Sequence, residues 1–184
     1  MDVKSENGPI SSAFVTKGIS TFKESCELVR ALPYRRNSTK NDKLIVLKEE
    51  YGTCSSKHKL LKILAEENDI KSCKLILCMF KMSGGNTPKV KGVLDKYGLK
   101  YIPEAHTYLA IDGKVNDFTF PDEPELFYLN DILYTEEIAA EQIRKYKAES
   151  HRAYLKEWGE RNGLSFTFEE LWEIREECIA VLAL

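Results

Sequence analysis

No segment of this sequence is apolar for long enough to cross a bilayer. The longest apolar run, Leu75 to Phe80, falls far short of the roughly 20 residues a spanning helix requires. Met1 to Ile10 is polar and holds no apolar core segment, so a secretory signal peptide is not expected. No two of the five cysteines form a CxxC pair. That excludes zinc-ribbon spacing and leaves no disulfide framework; reduced thiols in a cytoplasmic setting are the expectation. No internal repeat and no low-complexity tract is present. Neither sign of charge is in excess, at 27 basic against 29 acidic residues, which argues against nucleic acid as a general partner.

The chain is long enough, at 184 residues, for one domain with a real core. Its charges are uneven: residues 1–100 hold 19 Lys and Arg against 11 Asp and Glu, and residues 101–184 hold 8 against 18. Mutual attraction between two parts of one domain accounts for this, since neither half is extreme enough to mark a polyanion site.

In chain order, residues 1–17 read as a loose leader around Gly8-Pro9. Phe22, Cys26, Val29 and Leu32 recur at helical spacing over 20–32, and Pro33 closes that helix. A polar loop over 34–43 leads to Leu44–Leu47, a short apolar stretch of either type. Gly52-Thr53-Cys54-Ser55-Ser56 then opens an amphipathic helix to about Asn68, with Leu60, Leu61, Leu64 and Ala65 as its apolar stripe. Lys74–Met82 has the near-continuous apolar pattern of a strand buried on both faces. Residues 83–100, rich in Gly and Lys, read as an excursion with one short helix. Residues 105–111 and 114–120 form a hairpin around Asp112-Gly113, a favoured two-residue turn. The remainder, 135–184, reads as a helical C-terminal extension. Its helices cover 135–162 and 167–182, the second opening with Thr167 and Glu170 at capping-box spacing.

Cys54 is the leading candidate for chemistry. It follows a glycine-containing turn at the start of a helix, where partial positive charge and N–H groups favour a thiolate. The same end of the helix, through the Ser55 and Ser56 N–H groups, offers donors to an oxyanion. Cys26 and Cys178 fall in helix interiors, and Cys73 and Cys78 at or in the apolar strand, so these four read as buried, inert thiols. A thiolate nucleophile needs an imidazole. His151 sits in a charged helix and reads as solvent-exposed. His58 lies four residues after Cys54, and His106 opens a strand. With Asp112-Gly113 as the loop, Tyr108 lies opposite Asp117 and His106 opposite Thr119. His106 and Asp117 then share a sheet face as diagonal neighbours, and an Asp beside a His can set its tautomer and stabilise its charged form.

Taken together, Gly52-Thr53-Cys54 before a helix, Asn68-Asp69-Ile70 leading into an apolar strand, His106-Thr107-Tyr108 and Asp117-Phe118-Thr119 resemble the core of transglutaminase-like proteins, a papain-related fold. The likeness covers roughly residues 20–120 and includes Tyr34-Arg35 in the lead-in. Tyr108 stands where that family often has Trp, the His-to-Asp interval is short, and the C-terminal third has no counterpart. The resemblance implies an α+β fold, with a central helix packed on a small antiparallel sheet and further helices flanking it and at the C-terminus. It also implies that Cys54 is the nucleophile, His106 the general base and acid, and Asp117 the orienting carboxylate. The expected reaction is attack on an amide or ester carbonyl, with a peptide or protein among the options for the substrate. The resulting thioester is resolved by water or by an amine. No cofactor, metal or membrane partner is implied.

Two other classes fit the same residues. A catalytically inactive module of this fold would use the acidic C-terminal helices, with Trp158 and Trp172 as anchors, although core packing is the ordinary role for both. A metal site would draw on Cys54 and His58, one helical turn apart, completed by His106 and Asp117.

Overall fold

Several helix starts in this protein are set by side chains that satisfy otherwise unpaired backbone groups. The computed structural model describes residues 1–39, 41–121 and 128–182. Helices α1 (Pro9–Thr16), α2 (Phe22–Ala31), α3 (Ile45–Glu49) and α4 (Cys54–Glu67) precede strand β1 (Cys73–Met82). Helix α5 (Lys91–Lys96), strands β2 (Ile102–Ile111), β3 (Lys114–Asn116) and β4 (Ile132–Glu137), and helices α6 (Lys145–Arg161) and α7 (Phe168–Leu182) follow. The result is mixed α and β, with one small antiparallel sheet in the order β3-β2-β1-β4. No helix among the described residues is long and apolar enough to cross a membrane.

The chain divides into two compact units, each assembled from separate stretches. The first comprises Met1–Ile76, Thr107–Glu125 and Glu137–Ile143, and the second Leu77–His106, Leu126–Glu136 and Arg144–Leu184.

In the first unit α4 is the hub, packed by α1, α2 and α3. Its start is a capping box: Thr53 accepts from the Ser56 N–H, and the Ser56 hydroxyl reaches back to the Thr53 backbone. Its end is a Schellman motif. Asp69 is left-handed at φ 54°, Ile70 N–H donates to Ala65 O at 2.8 Å, and Asp69 N–H donates to Glu66 O at 3.2 Å. Between these ends Leu60, Leu61, Leu64 and Ala65 are buried, as the stripe requires; burying each leucine contributes roughly 1.5–3 kcal/mol. Helix α2 has the same logic, with a Thr21–Glu24 capping box and a stop before Pro33, which forces Leu32 into an extended conformation. The hairpin forms as its turn demands. Asp112 and Gly113 both have positive φ, at 50° and 76°, and Leu109 pairs with Asn116, Ala110 with Val115 and Ile111 with Lys114.

The second unit is mainly helical. Helices α6 and α7 pack together, and α5 packs on α7. A Cβ at Gly159 would lie 2.6 Å from Leu171 Cδ1, so a glycine is what allows α6 to approach α7 this closely. The expected Thr167–Glu170 capping box is present at the head of α7, with Thr167 N–H donating to Glu170 at 2.7 Å and Glu170 N–H to Thr167 Oγ1 at 3.2 Å.

Three expectations are corrected. Residues 1–17 are not a loose leader: Pro9–Thr16 is helical and buries Ile10, Ser11 and Phe14. The cause is remote in sequence. Glu67, at the end of α4, accepts from Ile10 N–H at 3.1 Å and from Ser11 N–H and Oγ at 2.7 Å, so it caps α1. The segment read as helical from 135 begins instead with β4, over Ile132–Glu137, and α6 starts at Lys145. Residues 183 and 184 of that extension lie outside the described residues. Finally, β3 stops at Asn116, because Asp117 turns its carboxylate onto Thr119 and ends the ladder.

The Glu67 cap is testable. Glu67→Ala should lower stability by about 1–3 kcal/mol and speed amide exchange at Ile10 and Ser11, read by urea denaturation and hydrogen exchange. Unchanged exchange at both amides would mean that α1 is held by its apolar face alone.

Candidate active site

Cys54 is the first residue of α4, directly after its N-cap Thr53. Its thiol lies 3.8 Å from the Ser55 hydroxyl. At 7% exposed it is buried, yet it is the most accessible of five free cysteines, with Cys26 at 5% and Cys73, Cys78 and Cys178 at 0%. Burial pushes the thiols of Cys26 and Cys178 up to about 12 and that of Cys73 up to about 11, so all three stay protonated near neutrality. The cap changes the expected donor pair. The Ser56 N–H is already turned to Thr53 Oγ1, at 3.4 Å, which removes it from the groups available to an oxyanion.

Asp117 is buried just past β3, in the same unit as Cys54. Its Oδ1 accepts from Thr119 N–H at 2.9 Å and from Thr119 Oγ1 at 2.5 Å, an Asx-type turn. Its backbone carbonyl accepts from Arg30 Nη2 at 3.2 Å, while the Arg30 guanidinium lies over the Phe118 ring at 5.1 Å. The hairpin register is the expected one over Leu109–Asn116, Ala110–Val115 and Ile111–Lys114, but the ladder ends there, so the expected pairs Tyr108–Asp117 and His106–Thr119 are not part of it.

The histidine that stands nearest Asp117 in this unit is His58. It is fully buried, with Nε2 3.5 Å from Asp117 Oδ1. This contact is not an ion pair: Nε2 accepts from the Phe118 N–H at 2.8 Å, so that nitrogen carries no proton to share. His58 therefore holds the 117–118 backbone against α4. Among the described residues no group of three or more His, Cys, Asp or Glu is placed to hold a metal ion.

Lys57, next to it, was not singled out by the sequence. It is fully buried, and its ammonium donates to Leu32 O at 2.5 Å and to Thr119 O at 2.7 Å. Burial lowers it to about 8, against the raising influence of Asp117 and Cys54. A lysine among small residues at a helix start reads as solvated, so only the tertiary structure reveals it.

His106 lies within β2 and belongs to the second unit. It is buried, 4.7 Å from the Tyr128 ring and edge-on to Phe80 at 6.1 Å. The same unit holds a second buried polar cluster. Glu104 takes Arg175 bidentately, at 2.7 Å from Nε and 2.5 Å from Nη2. His151, expected to be exposed, is 3% exposed; its Nε2 donates to Pro103 O at 2.9 Å and lies 3.8 Å from Glu104. Burial would raise the Glu104 carboxyl, but Arg175 and His151 outweigh that and hold it below its ordinary value. Burial lowers His151 more than Glu104 raises it. Both tryptophans also belong to this unit's packing: Trp158 donates to the Tyr101 hydroxyl at 2.9 Å, and Trp172 lies against His151 at 5.3 Å.

No family model, curated protein or solved structure matches the chain.

Two outcomes follow from the histidines. The His58 ring should be the Nδ1–H tautomer, since Nε2 is an acceptor; nitrogen chemical shifts of the imidazole would show an Nε2–H form if this geometry is wrong. For His151 the unfolded chain takes up a proton as pH falls through the ordinary value of 6.5, while the folded chain resists. Stability is therefore lost as pH falls below that value, by at most about 1.4 kcal/mol per pH unit. Glu104 adds a further loss at lower pH, as its carboxylate is protonated. Urea midpoints at pH 7.5 and 5.5 should differ less in His151→Gln than in the wild type.

Proposed function

We propose that this chain is a thiol-dependent acyl-transfer enzyme of the transglutaminase-like kind, with Cys54 as nucleophile, His106 as general base and acid, and Asp117 as the orienting carboxylate. The observation that carries this reading is the place of Cys54: the first residue of a capped 14-residue helix, in one unit with Asp117, in a chain whose Cys26, Cys73 and Cys178 thiols are held protonated by burial. A helix start favours a thiolate. The motif order and the strand register support His106 and Asp117.

In this reading a ring nitrogen of His106 takes the Cys54 proton, and the thiolate adds to an amide or ester carbonyl carbon. The tetrahedral adduct collapses as His106 returns the proton to the leaving amine or alcohol, which leaves a thioester on Sγ. Water then gives the acid (hydrolase), or an amine gives a new amide (transferase), and the thiol is restored. A second reading, an inactive binding module, is favoured by the low exposure of Cys54.

Limiting iodoacetamide at pH 7 should label Cys54 ahead of Cys26, Cys73, Cys78 and Cys178, as mapped by peptide mass. Preferential labelling of any other thiol would remove Cys54 as nucleophile. Asp117→Asn should slow Cys54 alkylation and move its pH profile, since the amide lacks the negative charge that supports an imidazolium. A variant that only loses melting temperature, with the profile unmoved, would reduce Asp117 to a turn brace.

A further inference from the structure

The fully buried ammonium of Lys57 has no role in the reaction as set out above. Its contacts are unusual for a lysine. Two of its three N–H bonds go to neutral carbonyls, Leu32 O at the end of α2 and Thr119 O past β3. No carboxylate among the described residues forms an ion pair with it. An ammonium taken fully out of water is strongly disfavoured unless negative charge lies near. The groups that act on it electrostatically are Asp117 and Cys54, both of which favour its charged form. Cys54 and Lys57 are three residues apart on α4 and so lie on the same face of the helix. Asp117 is reached through a short chain: Lys57 holds Thr119 O, and Thr119 holds Asp117 Oδ1 by its N–H and Oγ1.

We propose that Lys57 is a positioning residue of the thiol site, a fixed internal cation that keeps Cys54 as a thiolate and locks the turn presenting Asp117. This rests on the reading of Cys54 as nucleophile and adds to it a charge source other than histidine. The attraction is reciprocal: whatever Lys57 does to the ionisation of Cys54, Cys54 does equally to that of Lys57. Because burial brings Lys57 down to about 8, the device weakens in alkaline solution, where the ammonium is lost while the neutral amine can still donate to both carbonyls.

The test is the rate of Cys54 alkylation by iodoacetamide against pH, in wild type, Lys57→Arg and Lys57→Met. In the wild type the midpoint should lie below that of an ordinary thiol. Lys57→Met should raise it by about one unit, a roughly tenfold slower reaction near pH 7, and Lys57→Arg should restore most of the difference. A depressed wild-type midpoint that Lys57→Met leaves in place overturns the role of Lys57 but not that of Cys54. An ordinary wild-type midpoint overturns both. Lys57→Met leaves two carbonyls without their donor and can fail to fold. The second arm therefore uses Cys54→Ala, with the lysine side chain followed by NMR titration. The Lys57 midpoint should fall when the thiolate is absent, and a midpoint equal to that of the wild type overturns the proposal.

Discussion

One buried ammonium ties the first unit together. Lys57 Nζ sits between Leu32 O and Thr119 O, and so joins three segments far apart in sequence: the end of α2, the first turn of α4 and the turn after β3. A carbonyl oxygen in a dry interior needs a donor, and a cation there needs several acceptors. Each requirement is met only if the other segments are in place. Arg30 repeats the arrangement from α2, donating to Asp117 O and covering Phe118. The 117–119 turn is thus held by two cationic side chains through its backbone, by His58 through the Phe118 N–H, and by its own Asp-to-Thr bonds.

The second unit solves the buried-charge problem differently. Glu104 and Arg175 neutralise each other in a two-bond pair, with His151 held to Pro103 O beside them. A bidentate guanidinium–carboxylate pair satisfies both partners by geometry and leaves little uncompensated charge. The Lys57 site is not neutralised in that way, since its hydrogen-bond acceptors are neutral. That asymmetry separates a charge neutralised by its own partner from one held by backbone carbonyls.

The three histidines divide along the same line. His58 uses Nε2 as an acceptor for a backbone N–H, whereas His151 uses Nε2 as a donor to a backbone carbonyl. Both rings are spent on backbone groups in the interior. His106 lies beside the aromatic rings of Phe80 and Tyr128. Of the three, it is the one to which the proposed mechanism assigns proton transfer.

What was legible in the sequence is what a few neighbouring residues decide. The starts of α2, α4 and α7, the stop before Pro33 and the Asp112-Gly113 turn with its register all follow from groups within about four positions of one another, and each is found where the local pattern puts it. The place of Cys54 at the head of α4 belongs to this class. The helix at 9–16 was not legible, because its cap comes from Glu67, more than fifty residues away. The burial of His151, which a charged helix conceals, is of the same kind, as is the choice of strand for 132–137. So is Lys57, whose two acceptors lie 25 and 62 positions away. The capping boxes and the tight turn, whose partners are close in the chain, were determined by the sequence alone. Which polar groups lose water, and which distant partner replaces it, was decided only by the tertiary structure, because desolvation depends on everything packed around a group rather than on its neighbours in the chain.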